Sequence, residues 1–258
     1  MKITVDYHTH TIFSHGKGTI LENAQVAKQK GLSQIAITDH GFSHPAFRIS
    51  KRKLPKMRSL CEQAEKSTGV KVLLGIESNI LGVSGKVDLK ENNYDKFDIF
   101  LAGIHKFILY DGLKEWFKLY GANLITRKFK DEPSKRLVDR NTKIYINAIK
   151  NNPIDILAHP NYCFFADAVE VAKCCRDYGT LFEIDARKTH LSDDEWVKVA
   201  NTGVKFIINS DAHQPDKIGE IENAFQMINR TGISKSQIVN IDGKIPTNLR
   251  FFEYKNRK

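Results

Sequence analysis

Two histidines stand two residues apart at the end of an apolar run. In Asp6-Tyr7-His8-Thr9-His10 an extended strand puts the imidazoles of His8 and His10 on one face, so two nitrogen ligands aim at one spot. The run Ile35-Ala36-Ile37-Thr38 reads as a second strand delivering His40 at its C-terminal end. Glu77, His105, His159 and Asp211 with His213 follow later apolar runs in the same way, and His15 comes from the first loop. Imidazoles beside carboxylates suit zinc, iron or manganese. A lone histidine at a strand end is ordinarily hydrogen-bonded structure, and Glu77 or Asp211 alone could cap a helix. The metal reading rests on seven of nine histidines obeying one positional rule, with His44 and His190 obeying it less clearly.

That rule needs elements to enforce it. Strands are expected at 2–7, 34–38, 71–76, 97–103, 154–158, 180–184 and 204–209, most of them separated by helical patterns. Thr19 to Glu22 and Ser192 to Glu195 have the form of capping boxes, and further helices are expected at 51–66, 135–151, 166–178, 192–201 and 218–229. Alternating strands and helices predict a single α/β domain over 1–250, with a parallel barrel whose C-terminal strand ends open on one face. Residues 251–258 form a basic tail expected to fray. The long interruption 106–133 carries Tyr110, Trp116, Phe117 and Tyr120 and reads equally as a lid or a packed surface helix.

The 258 residues are 41% apolar and 27% charged, the balance of a globular chain with a sizeable core. No apolar stretch is long enough to cross a bilayer and no signal core precedes the first strand, so a cytoplasmic protein is expected. Cys61, Cys163, Cys174 and Cys175 lack paired metal spacing and are expected as reduced thiols. The net charge of +10 would attract phosphorylated or polynucleotide substrates, but the basic residues are scattered. Nucleic acid is therefore possible as a partner without being favoured.

His8-Thr9-His10, His15, Thr38-Asp39-His40-Gly41, Gly75-Ile76-Glu77, Ala102-Gly103-Ile104-His105, Ala158-His159-Pro160 and Asn209-Ser210-Asp211-Ala212-His213 resemble, in order, the motifs of the PHP (polymerase and histidinol phosphatase) superfamily. The likeness extends to Leu181-Phe182-Glu183-Ile184-Asp185 and Asn248-Leu249. It implies a distorted seven-stranded (β/α)7 barrel with three divalent metal ions (Zn, Mn or Fe). One would be held by His8, His10, Glu77 and Asp211, a second by Glu77, His105 and His159, and a third by His15, His40 and His213. Asp39 would orient an imidazole from behind.

Clustered divalent ions suit phosphate ester hydrolysis, because metals lower the pKa of bound water and a pair about 3.5–4 Å apart stabilises attacking and leaving oxygens. The expectation is a phosphomonoesterase of a small organic phosphate, such as histidinol phosphate or a nucleotide, using a metal-bridging hydroxide. Glu77, Asp211 and His40 are the catalytic candidates. Arg187, following the sixth strand, is the first choice for binding the phosphoryl group, with Lys106, Lys188 and His190 behind it. The alternatives are a 3′–5′ exonuclease or 3′-phosphatase on nucleic acid, and a metal-stabilised interaction module without turnover.

Overall fold

Each of the seven apolar runs forms a strand in the computed structural model, which describes residues 1–129, 132–162 and 164–257. In chain order the elements are β1 (Val5–Thr9), α1 (Ile20–Gln29), β2 (Gln34–Ile37), α2 (Leu54–Thr68), β3 (Lys71–Asn79) and β4 (Ile99–Gly103). There follow α3 (Leu113–Trp116), a π turn at Phe117–Gly121, α4 (Ala122–Phe129), α5 (Lys135–Asn151), β5 (Ile156–Leu157), α6 (Ala168–Tyr178) and β6 (Leu181–Asp185). The chain ends with α7 (Asp193–Ala200), β7 (Phe206–Asn209), α8 (Glu222–Thr231) and α9 (Arg250–Asn256). Thr19 and Ser192 close reciprocal capping boxes with Glu22 and Glu195, which fixes where α1 and α7 begin.

The strands pair in the order β1 to β7, all parallel. Alternate residues from every strand meet in one cluster: Val5, Tyr7, Ala36, Leu73, Ile99, Leu101, Ile156, Leu181 and Ile207. A cluster drawn from all seven strands is the filled interior of a barrel. The opposite parity, including Ile35, Ile76, Phe100, Phe182 and Ile208, packs outward into the larger core beneath the helices. Between β1 and β7 a side chain completes the closure. The buried Asn240 amide accepts from Ile208 N–H (3.0 Å) and donates to Val5 O (3.0 Å) and Ile208 O (2.7 Å), standing in for ladder bonds.

The basic end of the chain does not fray as expected. It is α9, whose Phe251 ring is fully buried and whose Lys255 ammonium bonds Phe97 O at 2.5 Å; Lys258 lies outside the described residues. An apolar pair amid the charges, Phe251 and Phe252, gave the helix one ring to bury while the other stays exposed. The segment after β4 divides between packing and exposure, with Phe107, Leu109, Phe117, Leu124, Ile125 and Phe129 open to solvent. Ile108, Leu119 and Tyr120 are buried, and Asn123 exchanges amide hydrogen bonds with Asn141 of α5. Among the described cysteines, Cys61, Cys174 and Cys175 are buried free thiols; Cys163 lies outside the described residues. Among the described residues no helix is long and apolar enough to cross a membrane.

Candidate metal centre

Period-two alternation turns Leu73, Gly75, Glu77 and Asn79 of β3 to the interior, and likewise Leu181, Glu183 and Asp185 of β6. β1 breaks the alternation. Its register with β2 shifts between Asp6 and Thr9, so Tyr7 fills the interior cluster and yet the next residue, His8, also turns inward. At the ends of β5 and β7, His159 (φ 30°) and Asp211 (φ 47°) adopt left-handed backbone, a conformation costing about 1–3 kcal/mol each for non-glycine residues and concentrated at functional sites. Gly103 leaves room for His159: a Cβ there would lie 2.7 Å from the ring's Cε1.

Glu77 is the hub. It is fully buried, and five imidazole nitrogens reach its carboxylate: His40 and His159 at 2.7 Å, His105 at 2.8 Å, His8 at 3.3 Å and His10 at 3.6 Å. Asp211 is the second focus, 3.2 Å from His10, 3.5 Å from His8 and 3.5 Å from His213. Four triads bring ligand atoms within 4.8 Å of one another: His8-His10-Asp211, His8-Glu77-His159, His40-Glu77-His105 and His10-His40-His213. His15 joins none of these. Its ring stacks on Phe47 at 4.1 Å and meets His213 edge-on at 5.0 Å, at the rim of the cluster.

The donor set fits divalent cations by a test internal to the structure. His8 Nε2, both ring nitrogens of His10, His40 Nδ1, His159 Nδ1 and Glu77 Oε2 are buried without a hydrogen-bond partner. His40 Nδ1 and Glu77 Oε2 are 2.7 Å apart without hydrogen-bond geometry, so both aim at shared space. Orphaned lone pairs at this density are costly unless a cation collects them. The protonation balance agrees. Burial pushes the Glu77 carboxyl up, but His105, His8 and His40 outweigh it and hold it well below the usual range. Burial likewise opposes ionisation of Asp211, and His8 and His10 overcome it. Burial drives His10 well down and His105 down to about 4, leaving neutral imidazoles. His159 goes the other way, to about 9, because its bond to Glu77 outweighs burial. Metal binding competes with such protons.

Residues behind the ligands set their directions. His8 Nδ1 lies 2.9 Å from Glu183 Oε1, and His105 Nδ1 lies 2.7 Å from Asn79 Oδ1, which frees the Nε2 of each for the centre. Asn79 is held in turn by Asp88 at 2.6 Å. Glu183 and Asn79 received no role from the sequence alone. The available signal was an acid inside the apolar strand Leu181-Phe182-Glu183-Ile184, a buried charge in need of a partner. Asp39 differs from its expected role. Its carboxylate accepts from Thr11 N–H (2.7 Å), Thr11 Oγ1 (2.6 Å) and Ser14 Oγ (2.7 Å), holding the turn between His10 and His15 rather than an imidazole.

A cleft of about 540 Å³ opens over the cluster, lined among others by His44, Phe47, Lys106, Phe107, Tyr162, Arg187, Lys188 and His190. Arg187 Nη1 reaches Asp211 Oδ2 at 3.0 Å while much of the guanidinium stays exposed. The Lys106 ammonium sits 5.2 Å over the Tyr162 ring. His190 is mostly buried, its Nε2 3.6 Å from Asp185 Oδ2.

The sequence model of the PHP domain matches residues 6–188. A protein of Thermoanaerobacter sp. named "Probable phosphatase" is 35% identical over 97% of this chain and 96% of its own length. Another so named, from Caldanaerobacter subterraneus subsp. tengcongensis, is 33% identical over 93% of this chain and 88% of its own length. Among solved structures, the histidinol phosphate phosphatase of Lactococcus lactis, complexed with zinc, L-histidinol and phosphate, superposes with a TM-score of 0.58 at 17% identity. That match covers 90% of this chain and 94% of the other, and at this identity the likeness is one of fold.

Proposed function

The chain belongs to the PHP domain family, and from that membership we propose a metal-dependent phosphomonoesterase acting on a small organic phosphate such as histidinol phosphate or a nucleotide. The observation that carries this reading is Glu77, a fully buried carboxylate with five imidazoles around it and orphaned lone pairs facing a common space. His8, His10, His15, His40, Glu77, His105, His159, Asp211 and His213 would hold up to three divalent ions of zinc, manganese or iron. Bound there, such ions lower the pKa of coordinated water and offset charge on a phosphoryl group.

The chain's own groups supply the rest. Glu183 and Asn79 hold His8 and His105 in register. Arg187 offers a planar fork to phosphoryl oxygens beside Asp211. Lys106 and Lys188 add positive charge around the same cleft, whose volume suits a small ester rather than a duplex.

Phosphate release tests the reading, with protein reconstituted in manganese and in zinc. The panel is histidinol phosphate, mononucleotides, sugar phosphates and a 3′-phosphorylated oligonucleotide. One strongly preferred small ester supports it. Preference for the oligonucleotide moves the assignment to nucleic-acid processing, and silence with metal bound leaves an interaction module.

A further inference from the structure

Hydrolysis of an alkyl phosphate needs a proton for the departing alcohol, and the metal cluster offers no protein group for that task once its imidazoles serve as ligands. The cleft wall beyond the cluster holds one. His190 follows Arg187 by three residues on the loop after β6, and its side chain is only 9% exposed. The ring packs 5.0 Å from Tyr162, whose own ring lies 5.2 Å from His159. His190 therefore sits one aromatic ring away from a candidate ligand.

Asp185 orients it. The Asp185 carboxylate ends the inward row of β6, with Oδ2 at 3.6 Å from His190 Nε2, an ion-pair separation that can tighten when substrate binds. Its Oδ1 accepts from the backbone N–H of Arg187 at 2.8 Å and of Lys188 at 3.4 Å. One carboxylate thus anchors the backbone of Arg187, the candidate phosphoryl binder, and faces the imidazole of His190. With Oδ1 held by two backbone N–H groups and Oδ2 turned to the ring, Asp185 is a positioning residue.

We propose that His190, oriented by Asp185, is the general acid that protonates the leaving oxygen of an alkyl phosphate, a role that rests on the phosphomonoesterase reading. The ester P–O bond breaks with its electron pair on the alcohol oxygen, which takes the proton from His190 Nδ1. Water supplies the oxygen of the new P–O bond; one of its protons stays with the phosphate and the other returns through solvent to the imidazole. Among the described residues, the charged groups lining the cleft with His190 are Asp185, Glu77 and Asp211 on one side of the balance and Arg187, Lys188 and Lys106 on the other, with Lys106 over the Tyr162 ring.

The test compares metal-loaded wild type and His190→Asn on two esters: p-nitrophenyl phosphate, whose leaving group needs no proton, and the alkyl ester the wild type hydrolyses fastest. A positioned acid contributes roughly 10²–10⁴-fold, so the variant's loss in kcat on the alkyl ester should exceed its loss on the aryl ester by at least 10-fold. Asp185→Asn, which removes the carboxylate facing the ring, should show the same ester-selective loss at intact metal content. Equal losses on both esters, with metal content intact, would overturn the proposal and leave His190 as a phosphate contact or packing. Wild type inert to both esters would instead overturn the phosphomonoesterase reading beneath it.

Discussion

Glu183 Oε1 lies 2.9 Å from Nδ1 of His8, both side chains fully buried. The same carboxylate accepts His159 N–H through Oε2 at 2.6 Å and the Asn209 amide through Oε1 at 2.8 Å. One acid on β6 therefore aims a candidate ligand from β1 and fixes the strained backbone of another after β5. A buried carboxylate with three donors is well satisfied, so its retention in an apolar strand follows from what it holds in place.

Glu183→Gln keeps the shape and withdraws the charge. Supporting groups of this kind typically contribute 10–100-fold to metal affinity or activity, so a loss in that range is expected. Metal content after dialysis against a chelator of graded strength, read beside circular dichroism, checks it. A folded variant with wild-type metal retention would remove Glu183 from the site's support.

At the hub itself the expected loss is larger. His10→Ala and Glu77→Ala should each remove metal and bring hydrolysis below detection, because each vacates a donor that faces two groups of ligands. Chelation of the wild type should also lower its melting temperature, since ions that bind only the folded state stabilise it by mass action. Near-wild-type turnover in either variant would refute the assignment.

How much of this was readable in the chain differs by residue. Strand ends ahead of His40, His105 and Asp211 were legible because apolar runs with turn residues after them leave little freedom, whereas β3 continues past the expected end at 76 and carries Glu77 inside the strand. The inward turn of His8 was right for an incomplete reason: alternation from Tyr7 would send it outward, and only the register shift in β1 brings it in. The family resemblance cast Asp39 as the partner of an imidazole. Its role was decided by Thr11 and Ser14, twenty-eight and twenty-five residues back in the chain, whose proximity depends on the folded loop. Glu183 could be seen as anomalous but not placed, since its partners come from β1, β7 and the loop after β5. Long-range pairings of this sort leave no periodic trace.

Arg187→Ala should lower kcat/KM for phosphate esters by about 10- to 100-fold, the equivalent of ~1.5–3 kcal/mol for a hydrogen bond to a charged group. Metal content should hold, because the contact with Asp211 is half in solvent and such pairs contribute little on their own. Arg187→Lys should recover only part of the loss, lacking the planar fork. Steady-state kinetics with metal analysis decides it; unchanged kinetics in Arg187→Ala would dismiss the role.

Far from the site, Asp155 makes a prediction about stability. Its buried carboxyl accepts from Phe100 N–H at 3.0 Å and from Phe251 N–H at 2.7 Å, tying β4 to the start of α9. Burial raises its pKa to about 7, with those two backbone bonds and Arg250 pulling the other way. A folded pKa above the unfolded value of 3.8 means that the native state binds the proton more tightly. That contribution is complete below pH 4 and is lost as pH rises toward 7, by on the order of 4 kcal/mol at most. Asp155→Asn removes the titration at a fixed cost for one mismatched N–H, about 1–3 kcal/mol. Wild type should therefore exceed the variant in melting temperature by more at pH 5 than at pH 8. An equal gap at both would mean that Asp155 does not change charge between them.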